Sequence, residues 1–177
     1  MLGVGQNRSV RLTRMANPII SPSDVRSLVL TESISIAASP DSVWRVLESL
    51  SGWPSWNAVC DSARWTEGAP WNAGSRFRMV LRMAGVPVPF TVRVVKADPP
   101  SAVSWESTVL TITGSRRFTI EHTGDGKGSL VADTKTFTSP VLPLRLFYPR
   151  PIIQTMSRRW LRSLKEQAES NSSPSAE

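Results

Sequence analysis

The chain has 177 residues, which is long enough for one domain with a full hydrophobic core. It is 40% hydrophobic and 20% charged, as globular proteins usually are, and it contains no apolar run of about 18 residues that would predict a membrane-spanning helix. Its single cysteine, Cys60, excludes an intrachain disulfide and a cysteine-based zinc site, and it fits a reducing, cytoplasmic location.

The basic balance of the chain bears on its partners. The net charge is +7, an excess that is also found in proteins that bind nucleic acids or anionic membranes. Here Arg76, Arg78, Arg82 and Arg93 alternate with apolar residues, which predicts the solvated outer face of a sheet. We therefore expect neither a nucleic-acid partner nor stable insertion into a membrane. The sequence leaves the oligomeric state open.

The two ends of the chain lack a core pattern. Residues 1–26 show no apolar periodicity and are predicted to be a disordered arm that the fold does not need. The arm holds four arginines against one acidic residue, which loosely resembles an organelle import segment. A non-functional extension, with Met15 as the true start, is the simpler interpretation. Residues 170–177 are predicted to be a polar tail.

The first predicted strand spans residues 27–37 and alternates between apolar and polar side chains. Its buried face carries Leu28, Leu30, Ile34 and Ile36. Glu32 falls on the same face. A helix over residues 42–50 follows, with Ser39 or Asp41 as its cap, and then a tight aromatic connection over residues 52–57.

Roughly six strand-like segments fill residues 61–138, and a turn at Gly124–Gly128 precedes the last of them. Consecutive strands of this kind predict an antiparallel sheet. The final helix, at about residues 151–168, carries an apolar stripe at spacings of three and four that fits the sheet. A long helix that closes a curved sheet leaves a cavity between them, and a cavity implies a ligand.

Four segments stand out by their order and spacing: ISIAASPDSVW at 34–44, WPSWN at 53–57, GSRFRMVL at 74–81 and FTIEHTGDG at 118–126. Together they resemble the START-like helix-grip superfamily, often called SRPBCC, and within it the polyketide cyclase/dehydrase-like branch. The resemblance covers residues 27–169. It implies an α+β helix-grip fold: a curved antiparallel sheet of about seven strands wrapped around a long C-terminal helix, with short helices after the first strand. It does not imply one activity, because this family includes lipid carriers, hormone receptors, cyclases and hydrolases.

Two positions depart from the family pattern. Ser115 and Arg116 stand where many relatives carry a Glu-His pair, and Lys135 stands where many carry Glu. If these groups touch ligand in the relatives, this chain prefers a different ligand, one with an acidic or carbonyl group. A purely structural rearrangement is the alternative.

The residues predicted to bind ligand lie on the inner apolar faces or in the loop at the mouth, and ordinary core packing is the alternative for each. They are Trp56, Phe77, Met79, Leu81, Phe90, Val92, Trp105, Arg116, Phe118, Ile120, Met156 and Trp160.

Candidates for proton transfer are Glu32, Asp133 and Lys135. Alternation places Glu32 on the inner face, and the resemblance implies that Asp133 and Lys135 face inward as well. Because the first and last strands are neighbours in the helix-grip fold, we expect Glu32 to pair with Lys135. The alternative is an open sheet end where these groups are solvated. The only histidine, His122, sits at a hairpin edge, a poor place for a buried base. No spacing fits a metal site or a phosphate loop, so neither a metal nor a cofactor is predicted.

Three hypotheses follow for function. The first is a protein that binds or carries a hydrophobic small molecule, such as a lipid, an isoprenoid or a polyketide-like aromatic. The second is an enzyme of the polyketide cyclase or dehydratase type, a lyase or isomerase that uses the same cavity. The third is an interaction module whose cavity is filled by its tryptophans.

Overall fold

The computed structural model of the protein describes residues 26–124 and 126–172. The predicted arm therefore lies outside the described residues, apart from Arg26. In chain order the elements are β1 (Ser27–Ile36), α1 (Pro40–Glu48), a 3-10 turn (Leu50–Gly52), α2 (Trp53–Trp56), β2 (Cys60–Glu67), β3 (Arg76–Met83), β4 (Val86–Asp98), β5 (Ala102–Val109), β6 (Ile112–His122), β7 (Ser129–Thr138), α3 (Leu144–Phe147) and α4 (Arg150–Ser172).

The seven strands form one antiparallel sheet in the order β1-β7-β6-β5-β4-β3-β2. Every neighbouring pair but one is consecutive in the chain; the exception is β1 and β7, which brings the two ends of the domain together. Helix α4 packs on this sheet and against α1. The inner side of α4 carries Ile153, Trp160, Leu161, Leu164 and Ala168, all buried. The predicted helix-grip fold is confirmed.

The junction between β1 and α1 follows local rules. The inner face of β1 is buried at Leu28 and Ile36. Ser39 then caps α1, because its hydroxyl accepts a hydrogen bond from the backbone N–H of Ser42 at 3.3 Å. Pro40 occupies the first helical turn, where its missing N–H costs nothing. The helix therefore begins two residues before the predicted start and ends two residues before the predicted end.

Two further boundaries differ from the prediction. The aromatic connection is a 3-10 turn followed by α2, and not a plain loop. Helix α4 continues to Ser172, so the first three residues of the predicted tail are helical. The extra turn is held by Glu169, whose carboxylate accepts a hydrogen bond from the Ala37 backbone at 2.7 Å.

The outer face of the sheet is as the sequence predicts. Arg76, Arg78, Arg82 and Arg93 are all exposed. Arg82 and Arg93 form ion pairs with acidic residues of neighbouring strands. Exposed pairs of this kind contribute at most about 1 kcal/mol. No helix in the described part of the chain is long and apolar enough to cross a membrane.

One half of the interior is filled by aromatic rings. All seven tryptophans join Phe77 and Phe118 in a single network of ring contacts, which we call the aromatic cluster. Trp53 lies at its centre, edge-on to Trp160 with 5.1 Å between the ring centroids. Its indole N–H donates to the Leu47 carbonyl at 2.9 Å, so the buried polar group is satisfied.

Candidate ligand-binding site

The other half of the interior holds a cavity between the sheet and α4. Its volume is about 100 Å³, and it is partly open to solvent. Its walls come from β3 to β7, the segment after β7, and α4. The lining residues are Met79, Leu81, Met83, Phe90, Trp105, Ser107, Gly114, Ser115, Arg116, Lys135, Phe137, Tyr148, Ile153 and Met156. Pockets for drug-sized ligands hold roughly 300–1,000 Å³, so this cavity takes a small ligand or one part of a larger one.

The structure divides the residues that the sequence predicts as ligand-binding. Six lie in the cavity wall: Met79, Leu81, Phe90, Trp105, Arg116 and Met156. Six lie outside it: Trp56, Phe77, Val92, Phe118, Ile120 and Trp160. Phe77, Phe118 and Trp160 belong to the aromatic cluster, and their rings fill space that the prediction left open. Alternation along a strand identifies the inner face but not which part of that face meets the cavity.

Several lining residues are absent from the prediction. Phe137 and Met83 continue the inward alternation of their strands, so the pattern could have found them. Tyr148 lies in an irregular segment, where no periodicity exists; its ring packs on Phe137 with 4.5 Å between the centroids. Gly114 makes room for that ring, because an added Cβ would lie 3.2 Å from the Phe137 side chain.

A charged cluster, made of Arg116, Asp133, Lys135 and Ser157, forms the polar part of the site. Arg116 donates two hydrogen bonds to the Asp133 carboxylate, both at 2.8 Å, in a bidentate pair. Lys135 Nζ donates to the same carboxylate at 2.8 Å and to the Ser157 hydroxyl of α4. The β6–β7 register places Arg116 directly opposite Lys135, which is why these three side chains meet.

The charged cluster is deeply buried. Asp133 is fully buried, and the side chains of Arg116 and Lys135 are 7% and 14% exposed. The Arg116 guanidinium also stacks on the Trp160 ring at 4.0 Å from its centroid, which links the charged cluster to the aromatic cluster. Two cations and one carboxylate leave a net charge of +1 in the wall of an apolar cavity.

Electrostatics set the proton states of the cluster. Burial alone would raise the pKa of Asp133, but the charges and hydrogen bonds of Arg116 and Lys135 outweigh it and lower that pKa to about 2. Burial, together with the nearby Arg116 charge, lowers the pKa of Lys135 to about 8, despite the opposing attraction of Asp133. Asp133 is therefore ionised at neutral pH, whereas Lys135 titrates close to neutral pH.

The predicted pair of Glu32 with Lys135 is wrong. Glu32 lies opposite Asp133 in the β1–β7 register, and Lys135 lies opposite Leu30. The Glu32 carboxylate instead accepts hydrogen bonds from Arg158 of α4 at 3.0 and 3.1 Å. Lys135 reaches along its own strand to the buried carboxylate of Asp133, two residues away. Of the three candidates for proton transfer, Lys135 alone lines the cavity.

The remaining reactive groups lie elsewhere. Cys60 is buried, and this burial raises the pKa of its thiol to about 11, so it is an unreactive core residue. His122 is exposed at the end of β6, away from the cavity. Within residues 26–124 and 126–172, no three His, Cys, Asp or Glu side chains are placed to hold a metal ion.

A first prediction concerns stability and pH. The folded pKa of Lys135, about 8, lies below its unfolded value of about 10.4, so between these values the unfolded chain binds more protons. The free energy of unfolding must therefore rise with pH across this window. We expect the difference in free energy of unfolding between wild type and Lys135→Met to show this rise, because the contributions of the other titrating groups cancel in that difference. Urea unfolding at pH 7, 8, 9 and 10 measures it.

The same variant should not be destabilised at pH 7. Its Asp133 keeps the bidentate bond to Arg116, and the cluster loses its excess charge. A Lys135→Met protein that is much less stable at pH 7, or a pH dependence equal to that of wild type, would contradict the proton state assigned to Lys135. Lys96→Met, at an exposed lysine on β4, is the matched control.

Solved structures of other proteins share this fold. The Zhui aromatase/cyclase from Streptomyces sp. R1128 is 16% identical in sequence, over 85% of this chain and 98% of that one, with a TM-score of 0.70. Major latex-like protein 151 of Panax ginseng is 14% identical, over 84% of this chain and 99% of that one, with a TM-score of 0.66, and a protein from Thermus thermophilus is 20% identical, over 82% of this chain and 100% of that one, with a TM-score of 0.67. A search of the curated proteins finds no match.

The sheet, the enclosing α4 and the cavity between them define a helix-grip fold, and the family match over residues 27–169 assigns the chain to the START-like SRPBCC superfamily. Within that superfamily, residues 27–169 match the family described as polyketide cyclase/dehydrase and lipid transport, and the chain belongs to it.

Proposed function

We propose that this protein binds an apolar small molecule that carries an acidic or carbonyl oxygen. The apolar part occupies the cavity beside Phe90, Trp105 and Met156, and the oxygen meets Arg116 and Lys135. The observation that carries the proposal is the buried net charge of +1 in the wall of an otherwise apolar cavity. A buried charge without a partner is costly, so a ligand anion at this point offsets an existing cost.

The geometry supports hydrogen bonding at this point. Lys135 Nζ has three donor positions, and Asp133 and Ser157 occupy two of them. The third remains for a ligand oxygen. A hydrogen bond to a charged group contributes about 1.5–3 kcal/mol, enough to orient a small ligand with its polar end inward.

The size of the cavity sets the class of ligand. A volume of about 100 Å³ is smaller than the cavity of roughly 150 Å³ that binds benzene, so it suits a short chain, or one ring with a small adjustment of the wall. Met79, Met83 and Met156 line the wall, and methionine side chains adapt their shape at low cost. A longer lipid or polyketide-like ligand fits if these side chains move or if its tail leaves through the mouth.

The test compares two probes of similar size, benzoate and benzyl alcohol. We expect benzoate to bind wild type more tightly, and Lys135→Met to lose about tenfold or more in benzoate affinity while its affinity for benzyl alcohol is unchanged. Benzoate affinity should also fall as the pH rises through about 8, where Lys135 loses its charge. Chemical-shift titrations at pH 6.5 and 9 give the dissociation constants.

Lys96→Met is the control for this test, because it removes an exposed lysine of the same charge. Equal binding of the two probes by wild type, or equal loss in both lysine variants, would contradict recognition of an anionic group. Failure of both probes to bind would favour the hypothesis of an interior filled by its own aromatic rings.

A second candidate is an enzyme of the cyclase or dehydratase type. The observation that favours it is the Lys135 amine, whose pKa near 8 allows it to give up a proton at neutral pH within the cavity. Turnover of a β-keto chain by wild type, lost in Lys135→Met while substrate still binds, would support the enzyme. A carrier shows no turnover in either protein.

A further inference from the structure

One end of the molecule concentrates exposed apolar side chains. Because the sheet is antiparallel, the β3–β4 turn, the β5–β6 turn and the end of β7 all lie at the same end. The segment 141–152 follows β7 there. Of the 11 large hydrophobic residues that are exposed in the described chain, eight lie in these three segments. We call this surface the apolar end.

The two hairpin turns expose the first part of this surface. Val86 follows the β3–β4 turn and is 61% exposed, and Val109 precedes the β5–β6 turn. Leu110, at the tip of that turn, is 94% exposed and has φ of 54°. A positive φ is strained for a leucine, and such strain persists where the surroundings or the function require it. In water, this position holds an apolar side chain in a conformation that glycine or asparagine would adopt more easily.

The segment after β7 supplies the second part. Val141 and Leu142 are exposed, and the one-turn helix α3 directs Leu146 and Phe147 outward, with Phe147 81% exposed. This segment also continues into Tyr148, which lines the cavity. Met83 and Phe137 also line the cavity close to this end, so the exposed side chains and this part of the cavity wall are neighbours.

The charge at this end is positive. The segment 141–152 contains Arg145 and Arg150 and no acidic residue. Arg145 is exposed within α3, and Arg159 shares a surface depression with Ile152 and the β3–β4 turn. Asp61, at the start of β2, is neutralised by Arg82.

We propose that the apolar end docks on an anionic lipid bilayer, with Leu110, Leu146 and Phe147 in the interfacial region and arginines on the lipid headgroups. Exposed apolar side chains next to a basic segment are the combination that binds a membrane surface reversibly. The charge selects the partner, because each arginine near an anionic surface favours binding by about fivefold. This peripheral contact differs from insertion of a membrane-spanning segment.

Docking in this orientation turns the part of the cavity wall formed by Met83, Phe137 and Tyr148 toward the bilayer, which gives an apolar ligand a short path between the two. That consequence rests on the proposed function, whereas docking itself rests on the surface alone. The two are therefore tested apart: vesicle binding is measured without ligand, and benzoate binding is measured without vesicles.

The experiment uses the full-length protein and sedimentation with vesicles of phosphatidylcholine, with or without about 30% phosphatidylserine. We expect wild type to bind the anionic vesicles at least about tenfold more tightly than the neutral ones. The double variant Leu110→Ser/Phe147→Ser should lose about tenfold or more of that affinity, because its apolar contact with the bilayer is gone. Arg145→Glu should weaken binding to anionic vesicles only.

The matched control is Val95→Ser/Leu130→Ser, which removes two exposed apolar residues at the opposite end of the sheet. It should bind vesicles as wild type does. Thermal unfolding and benzoate binding of all these variants should match wild type, since each change is on the surface.

Three results would overturn the proposal. The first is wild type that sediments with neither kind of vesicle. The second is a Leu110→Ser/Phe147→Ser protein that binds vesicles like wild type while the triple variant Arg8→Glu/Arg11→Glu/Arg14→Glu does not bind. This result would assign vesicle binding to the N-terminal segment. The third is a wild-type dimer in solution that the Leu110→Ser/Phe147→Ser change dissociates, which would assign the surface to a second copy.

Discussion

Replacing Asp133 with asparagine is expected to lower the free energy of unfolding by about 3–5 kcal/mol, the usual cost of removing one partner from a buried ion pair. Asparagine keeps the shape of the side chain but not its charge, so Arg116 and Lys135 would remain buried without a counter-charge. Urea unfolding at pH 7 measures the loss.

A second substitution separates charge from packing. In Asp133→Asn/Lys135→Met one of the two stranded cations is gone, so part of the lost stability should return. Asp61→Ala is the control, because it breaks a partly exposed pair with Arg82 and should cost no more than about 1 kcal/mol. If Asp133→Asn were as mild as Asp61→Ala, the buried cluster would not hold the sheet and α4 together.

Replacing Trp105 with alanine is expected to cost about 3–5 kcal/mol of stability and to enlarge the cavity. Trp105 is almost fully buried, and it is the member of the aromatic cluster that also lines the cavity. We expect the variant to bind 1-naphthoate about tenfold or more tightly than wild type, because the second ring of this probe occupies the vacated space. Titration followed by NMR, together with urea unfolding, measures both effects.

Trp53→Ala is the matched control. Trp53 is as deeply buried and packs against several rings of the same cluster, but it does not line the cavity. The Trp53→Ala variant should lose a similar amount of stability, but its affinity for 1-naphthoate should not increase. Equal gains in both variants would mean that the interior rearranges as a whole, and that the present cavity does not limit ligand size.

Much of the fold follows from alternation in the sequence. The inner faces of β1 and β3 were predictable because apolar residues recur at every second position, and the exposed arginines of β3 have the opposite parity. For β7 the family resemblance was needed: it made the face of Val131 and Phe137 the inner one, and so placed Asp133 and Lys135 inward. Parity does not fix the register, and a shift of two residues, which keeps every side chain on its face, decides whether Glu32 lies opposite Asp133 or Lys135.

The candidate site was less predictable because it depends on how much space the rings fill. Trp71 shows the difficulty: it lies in the β2–β3 connection with φ of 60°, where no periodicity marks it as buried. Its indole N–H nevertheless donates to the Glu48 carbonyl, and its ring packs against Trp44, Trp65 and Phe77. Such rings occupy one half of the interior and confine the cavity to the other.

The aromatic cluster also determines how the protein responds to light. Since all seven tryptophans lie within one chain of close ring contacts, excitation absorbed by one passes readily to its neighbours before it is emitted. Trp105 belongs both to this chain and to the cavity wall. A molecule that enters the cavity is therefore expected to alter the emission of the whole set, which would report occupancy without a label.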